Sequence, residues 1–388
     1  MKNQPTGPVL HNRLNDFDDF CDFWQRAAPT SPMPLDTTQT RLDRLRRWLD
    51  RVRPLTDPNH PLGAIARREL PSETALSEEL VAWGLDQAFE INATDEELRE
   101  LVDRVVPSPV AHVSLSANVF VGALRAIAVA LASSSNVRVR CSRREPLTAT
   151  LLHRAAPDAF ALVPTLSPAP GDHVWAYGAD HTLAQLRAEF PRGVVLHAHG
   201  DGFGVLVVDA GARLTDEDFD AMAVDVAAFD QRGCLSPRFV LLEGRPSKGH
   251  AFALQLLETM NRVAERLPFG PIDPAAQAEA ARHRETWRYL GEAHTGKGGM
   301  VSLDFDGQPW GKPPSLRTIH VRLTENALAD LVGQSDAVTA VGSRRNPALI
   351  AKIEASCPKV RWSPFGSMQR PRLDGPVDRR PDPLGCVL

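Results

Sequence analysis

Residues 110–141 read VAHVSLSANVFVGALRAIAVALASSSNVRVRC, and this stretch determines the fold we expect. Its pattern predicts a strand at residues 110–115, a helix at 119–132 with Asn118 as the N-cap, and a second strand at 136–141. Two strands joined by a helix form one unit of a parallel sheet.

The same alternation continues along the chain. Further strands are predicted at residues 173–177, 193–197, 203–209 and 238–242. Further helices are predicted at residues 146–156, 182–190, 216–229 and 248–266. Repeated units of this kind favour an α/β fold with a doubly wound, mostly parallel sheet covered by helices on both faces. Such sheets bind ligands at the carboxyl ends of their strands.

The flanking regions have a different character. Residues 1–40 are rich in Pro, Thr and Asp, with a short helix expected at 16–26. Amphipathic helices are predicted between residues 40 and 105. The expected organisation is a leader and helical region at 1–105, a dinucleotide-binding domain at 106–230, a catalytic domain at 231–355 and an irregular tail at 356–388.

Composition narrows the class of protein. The net charge is −4 over 388 residues, so the chain as a whole has no excess of positive charge with which to bind nucleic acid or an anionic membrane. The five cysteines include no CxxC pair, which disfavours a disulfide framework and a thiolate zinc site. The longest apolar stretch, residues 119–131, contains Arg125 and is too short to span a bilayer. We therefore expect a cytoplasmic protein without a membrane span.

Cys234 is the strongest candidate for chemistry. It lies in FDQRGCLSP, residues 229–237, where Gly233 lets a ligand approach the backbone closely. Polar groups of Gln231 and Ser236 lie nearby in the sequence. The segment would display a nucleophilic thiol on a loop, although a single cysteine is more often a buried structural residue.

Two other segments carry functional side chains. Arg138 and Arg140 share one face of the strand predicted at 136–141, and Arg143 and Arg144 lie just beyond it. These arginines would form either an anionic cofactor site or a solvated basic edge. His197 and His199 alternate at a strand end, as metal ligands can, but no convincing third ligand follows in the sequence. Both histidines can instead be structural.

Several segments, in order, resemble the aldehyde dehydrogenase superfamily. Ser116-Ala117-Asn118 is similar to its Pro-Trp-Asn segment, and residues 137–149 to its Lys-Pro-Ser-Glu strand end and the following Pro-Leu-Thr-Ala. Residues 175–179 resemble its Phe-Thr-Gly-Ser turn, and residues 194–209 its Leu-Glu-Leu-Gly-Gly-Lys segment. The Cys234 loop follows where that family has its catalytic cysteine, and its sequence is very similar to fatty-acyl-CoA reductases of the LuxC type.

The resemblance implies roles for individual residues. Cys234 would be the nucleophile, and Asn118 would help to form the oxyanion hole. Arg140 and Arg143 would replace the ribose-binding Lys and Glu and favour NADP, while Gly178 and Ala179 would form the cofactor turn. His197 stands where hydrolytic relatives carry the Glu that activates water, so its presence suits an enzyme that reduces its acyl-enzyme.

The function implied is NADPH-dependent reduction of a fatty acyl thioester to an aldehyde. Its partners would be acyl-CoA or an acyl-carrier thioester, an acyl-transferring protein and further copies of the chain. The sequence leaves two alternative functions open. One is a catalytically silent acyl-binding subunit of the same fold, and the other is a metal-dependent hydrolase that uses His197 and His199.

Overall fold

The structure is a computed structural model, and it describes residues 36–209, 213–305, 307 and 311–375. The short helix expected at residues 16–26 lies outside this part of the chain.

Within the described residues, the strands are β1 Ala111–Ser114, β2 Val137–Arg140, β3 Ala161–Leu162, β4 His173–Tyr177, β5 Val195–His199, β6 Phe203–Val208, β7 Pro237–Glu243, β8 Glu292–Gly296, β9 Gly299–Asp304, β10 Thr318–Thr324, β11 Val338–Ser343 and β12 Arg361–Pro364. The α-helices of the same residues are α1 Thr38–Val52, α2 Pro61–Thr74, α3 Glu78–Trp83, α4 Asp95–Arg104, α5 Gly122–Ser133, α6 Leu147–Ala155, α7 Asp180–Glu189, α8 Asp216–Ala227, α9 Pro246–Arg266, α10 Pro274–Leu290, α11 Ala327–Gly333 and α12 Pro347–Ser356.

These strands form two sheets. The first has the order β3-β2-β1-β4-β5 and is parallel throughout the described residues. Because the chain moves from β1 to β2 on one side and later to β4 on the other, its topological switch point lies between β1 and β4. Ligands of open parallel sheets bind outside the carboxyl ends of the strands at this point.

The second sheet has the order β12-β11-β6-β7-β10-β9-β8. Its pairs are parallel except β8 with β9, which is antiparallel. The change between sheets lies between His199 and Phe203, because β6 pairs with β7 and β11 rather than with β5. The domain boundary expected at residues 230 and 231 stays a prediction.

A continuous apolar core explains why the helical region stays attached to the first sheet. Leu45 and Trp48 of α1 belong to the same buried cluster as Ile127 of α5 and Val113 of β1. The predicted amphipathic face of α1 is therefore confirmed. Thr94 and Glu97 form a reciprocal capping box at the start of α4.

One sequence-based expectation was wrong. Asn118 does not cap α5, because the helix begins at Gly122 and its N-cap residue, Val121, makes no side-chain cap hydrogen bond. The first residues of the predicted tail include the strand β12, which pairs with β11, and the turns that follow it bury Met368 and Leu373. No helix in the part of the chain that the structure describes has the length and apolar character needed to cross a membrane.

Candidate active site

Cys234 lies exposed on the loop that leads into β7. The three residues Phe229, Asp230 and Gln231 shortly before it have φ angles of 52°, 50° and 59°. The left-handed conformation costs an L-residue roughly 1–2 kcal/mol. Three such residues in a row persist only where surrounding contacts hold them, and strain of this kind is concentrated at functional sites.

A buried ion pair holds the middle of this segment. The Arg317 side chain donates to Asp230 Oδ1 from Nε at 3.1 Å and from Nη2 at 2.8 Å, and both side chains are 1% exposed. The backbone N–H of Gly270 donates to Asp230 Oδ2 at 3.2 Å. The negative charge is thereby compensated from two elements that are distant in sequence.

The residues before and after Asp230, Phe229 and Gln231, are also fixed by contacts with other parts of the chain. Gln231 Nε2 donates to the carbonyl oxygens of Pro237 at 2.8 Å and Thr318 at 3.0 Å, while its Oε1 accepts from Thr318 N at 2.7 Å. The Phe229 ring packs edge-on against Trp83 and Phe120. The loop backbone is thus fixed while its thiol faces outward, so the structural alternative of a buried cysteine is wrong for Cys234.

The segment that contains Asn118 lies beside this loop. Asn118 is exposed in the bend that follows β1. A side-chain carbon built on Gly233 would come within 3.0 Å of Val119 Cγ2, so the residue after Asn118 touches the residue before Cys234. The fold therefore brings together two segments that are more than a hundred positions apart in the sequence.

Tyr177, at the carboxyl end of β4, connects the first sheet to the same region. Burial raises the pKa of its hydroxyl above the ordinary range, and the Cys234 thiol and Glu90 add to this effect while Arg361 and Arg125 oppose it. Its ring stacks on that of His199 at 4.4 Å. Tyr177 was not among the sequence candidates, although it immediately precedes the expected Gly178–Ala179 turn.

His197 lies two residues before the end of β5 and is partly buried. Its ring is stacked on Trp175 at 4.5 Å, and its Nε2 lies 3.0 Å from His173 Nδ1. Among the described residues, neither His197 nor His199 belongs to a group of three side chains placed to hold a metal ion.

The expected cofactor residues lie at the carboxyl edge of the first sheet. Arg140, the last residue of β2, donates from Nη2 to Ser114 Oγ of β1 at 2.7 Å. Arg143 is exposed just beyond it. Gly178 and Ala179 follow β4, and a carbon added at Gly178 would meet no atom closer than Thr182 at 3.9 Å. The guanidinium groups and this uncrowded turn suit a nucleotide at the switch point between β1 and β4.

The segment after β12 closes over the cysteine loop. Asp225 of α8 accepts the backbone N–H groups of Gly366 at 2.6 Å and Met368 at 2.9 Å. Gln369 then donates from Nε2 to Ser236 Oγ at 3.3 Å. Gln369 belongs to the Gly-Ser-Met-Gln run at residues 366–369, within the predicted tail, and no role in the site was expected for it from the sequence.

One family model matches part of the chain. The family of acyl-CoA reductases called LuxC matches residues 162–310, a range that contains the expected turn at Gly178 and Ala179 as well as His197 and Cys234. Over these residues the chain is similar to the LuxC family of acyl-CoA reductases. No curated protein sequence matches it.

Solved structures show the aldehyde dehydrogenase fold. An oxidoreductase from Marinobacter aquaeolei is 14% identical with a TM-score of 0.60, over 90% of this chain and 85% of that one. Aldehyde dehydrogenase 21 from Physcomitrella patens is 12% identical with a TM-score of 0.62, over 90% and 81%. A NAD-dependent benzaldehyde dehydrogenase from Corynebacterium glutamicum is 14% identical with a TM-score of 0.56, over 84% and 83%. Family and fold together support an oxidoreductase of the acyl-reductase type.

Proposed function

We propose that the protein reduces a fatty acyl thioester to an aldehyde with NADPH, through an acyl group bound to Cys234. The observation that carries this proposal is the exposed thiol at the end of a strained, heavily anchored loop. The acyl donor would be acyl-CoA or an acyl-carrier thioester, and an acyl-transferring protein could deliver it.

Acylation is the step that these residues would perform. The Cys234 thiolate attacks the thioester carbonyl, a C–S bond forms, and the donor thiol leaves with its electron pair and takes up a proton. The side-chain amide of Asn118 and the backbone N–H of Cys234 would donate to the oxyanion that develops on the carbonyl oxygen. The contact between Val119 and Gly233 supports this pairing of segments.

The nicotinamide cofactor supplies the hydride when it is bound. Arg140 and Arg143 would hold its anionic part, and Gly178 and Ala179 would form the turn beside it. Glu145, two residues after Arg143 in the sequence, is buried and accepts from Thr148 N at 2.7 Å, and burial raises its pKa to about 7. The guanidinium groups of Arg140 and Arg143 would attract a 2′-phosphate and so favour NADPH.

The side chain at position 197 affects whether the acyl group on Cys234 can be hydrolysed. A carboxylate at this position would activate water against the acyl-enzyme, and the imidazole here faces His173 and Trp175 instead. We infer that the site lacks the base that hydrolysis needs at this position. His197 can still exchange a proton with the substrate or serve only to pack the strand.

Covalent labelling tests the assignment of the nucleophile. Incubation with radiolabelled acyl-CoA should leave label on the native protein and none on Cys234→Ala. Cys141→Ala is the matched control and should keep the label, because burial raises the pKa of the Cys141 thiol to about 11 and leaves it unreactive. Label that persists on Cys234→Ala would overturn the proposal.

A further inference from the structure

Three metal-ligating side chains meet at the edge of the second sheet, apart from the cysteine loop. Glu292 Oε2 lies 2.8 Å from His250 Nδ1 and 2.7 Å from His294 Nε2. The three ligand atoms all lie within 4.8 Å of one another. Two imidazole nitrogens thus approach a single carboxylate oxygen.

Regular secondary structure fixes this arrangement. Glu292 and His294 are two residues apart on β8 and so share one face of the strand. His250 lies in the first turns of α9. A carbon added at the preceding Gly249 would lie 3.3 Å from Leu303 Cδ1, and Leu303 is the strand partner of Glu292. The contact between helix and sheet therefore sets His250 opposite Glu292.

The cluster is open on its outer side. The side chains of His250, Glu292 and His294 are 51%, 27% and 23% exposed. Protein ligands would therefore surround an ion from one side, and water could occupy its remaining positions.

We propose that His250, Glu292 and His294 form a binding site for a divalent transition-metal ion, with Zn²⁺ the ion that fits best. Imidazole nitrogen and carboxylate oxygen are zinc ligands, whereas Mg²⁺ and Ca²⁺ prefer oxygen throughout. In tetrahedral zinc sites neighbouring ligand atoms are about 3.4 Å apart. The two spacings to Glu292 Oε2 reach this value when the side chains separate by about 0.6–0.7 Å, a small change in side-chain torsion angles.

The ion would link α9 to the edge strand β8. Strands β9 and β10 lie between β8 and β7, which follows the cysteine loop. Three strand spacings amount to about 14 Å, so the site is separate from acyl transfer at Cys234. Its role would be to hold the sheet edge against the helix, and zinc in the purified protein would not by itself indicate a hydrolase.

Calorimetric titration of the chelator-treated full chain with ZnCl₂ tests the site. One Zn²⁺ should bind per chain, and His250→Ala, Glu292→Gln and His294→Ala should each weaken binding more than about tenfold, because even outer-shell partners of a metal ligand contribute 10–100-fold. His181→Ala removes an exposed histidine elsewhere and should leave the affinity unchanged. Cys234→Ala should also leave it unchanged, which separates this site from binding by the exposed thiol.

Thermal unfolding provides a second measurement that does not depend on enzyme activity. Zinc should raise the melting temperature of the native chain and of His181→Ala, since a ligand that binds the folded state stabilises it. It should raise that of Glu292→Gln less at the same zinc concentration. The absence of zinc binding to the native chain, or binding that survives all three substitutions, would overturn the proposal.

Discussion

The anchoring of the cysteine loop leads to a quantitative prediction for Gln231→Ala. The substitution removes three hydrogen bonds to backbone groups of Pro237 and Thr318, and the Gln231 side chain is fully buried. A buried group left without its partner costs about 1–3 kcal/mol. With some relaxation of the site, we expect the free energy of unfolding to fall by about 2–4 kcal/mol.

The larger consequence should be local. Three left-handed residues store roughly 3–6 kcal/mol of strain, which the contacts of Phe229, Asp230 and Gln231 offset. Loss of the Gln231 contacts is of the same size as this strain, so the loop should populate other conformations. The rate at which acyl-CoA acylates Cys234 should then fall at least about tenfold, since each 1.4 kcal/mol corresponds to a factor of ten.

Acylation is measured by mass spectrometry of the intact protein in a single turnover, and stability by urea unfolding. Leu331→Ala is the matched control, because Leu331 is fully buried in a separate core cluster and its truncation costs about 2–5 kcal/mol. This control should lose stability and keep the rate of acylation. If folded Gln231→Ala were acylated as fast as the unsubstituted protein, the contacts of residues 229–231 would not be what positions the Cys234 thiol.

Three further predictions concern the cofactor, the oxyanion and acid stability. Arg143→Glu should lower the ratio of kcat/KM with NADPH to kcat/KM with NADH, because the substitution replaces a cation with an anion. The control Arg154→Glu makes the same charge change at another exposed arginine and should leave this ratio unchanged. The same ratio in the two variants would show that Arg143 does not contact the cofactor. Asn118→Ala should slow acylation about 10²–10³-fold, and a loss of less than threefold would exclude the amide as an oxyanion donor. Burial lowers the pKa of His320 from the ordinary 6.5 to about 3. As the pH falls, this imidazole is therefore protonated in the unfolded chain at a higher pH than in the folded chain. The urea midpoint should therefore fall as the pH drops from 6.5 towards 3, and less so in His320→Gln; identical pH profiles would contradict this.

Local patterns in the sequence were sufficient for four of the five strands of the first sheet, and β3, Ala161–Leu162, was not predicted. The strand predicted at residues 173–177 matches β4, and the helix at 146–156 differs from α6 by one residue at each end. Hydrophobic periodicity and capping residues act over a few positions, so a single sequence records them. The resemblance of the Cys234 segment to LuxC reductases was likewise visible, because it lies in contiguous residues.

Contacts between distant residues could not be foreseen. The helix predicted at residues 216–229 ends at Ala227, because the following residues turn left-handed against Arg317, far along the chain. No local pattern indicates that partner. The same holds for Gln369, which reaches the cysteine loop only because Asp225 binds the turn before it. His250 and Glu292 were missed for the same reason, since a helix and an edge strand bring them together.

The fate of the acyl group on Cys234 tests the central claim most directly. The acyl-enzyme, formed with acyl-CoA and freed of excess donor, is divided into samples with and without NADPH. Our account predicts one aldehyde per bound acyl group when NADPH is present, and slow release of fatty acid when it is absent. Rapid release of fatty acid at the same rate in both samples would show that the thiol serves hydrolysis, and a stable acyl-enzyme in both would indicate a silent acyl-binding subunit.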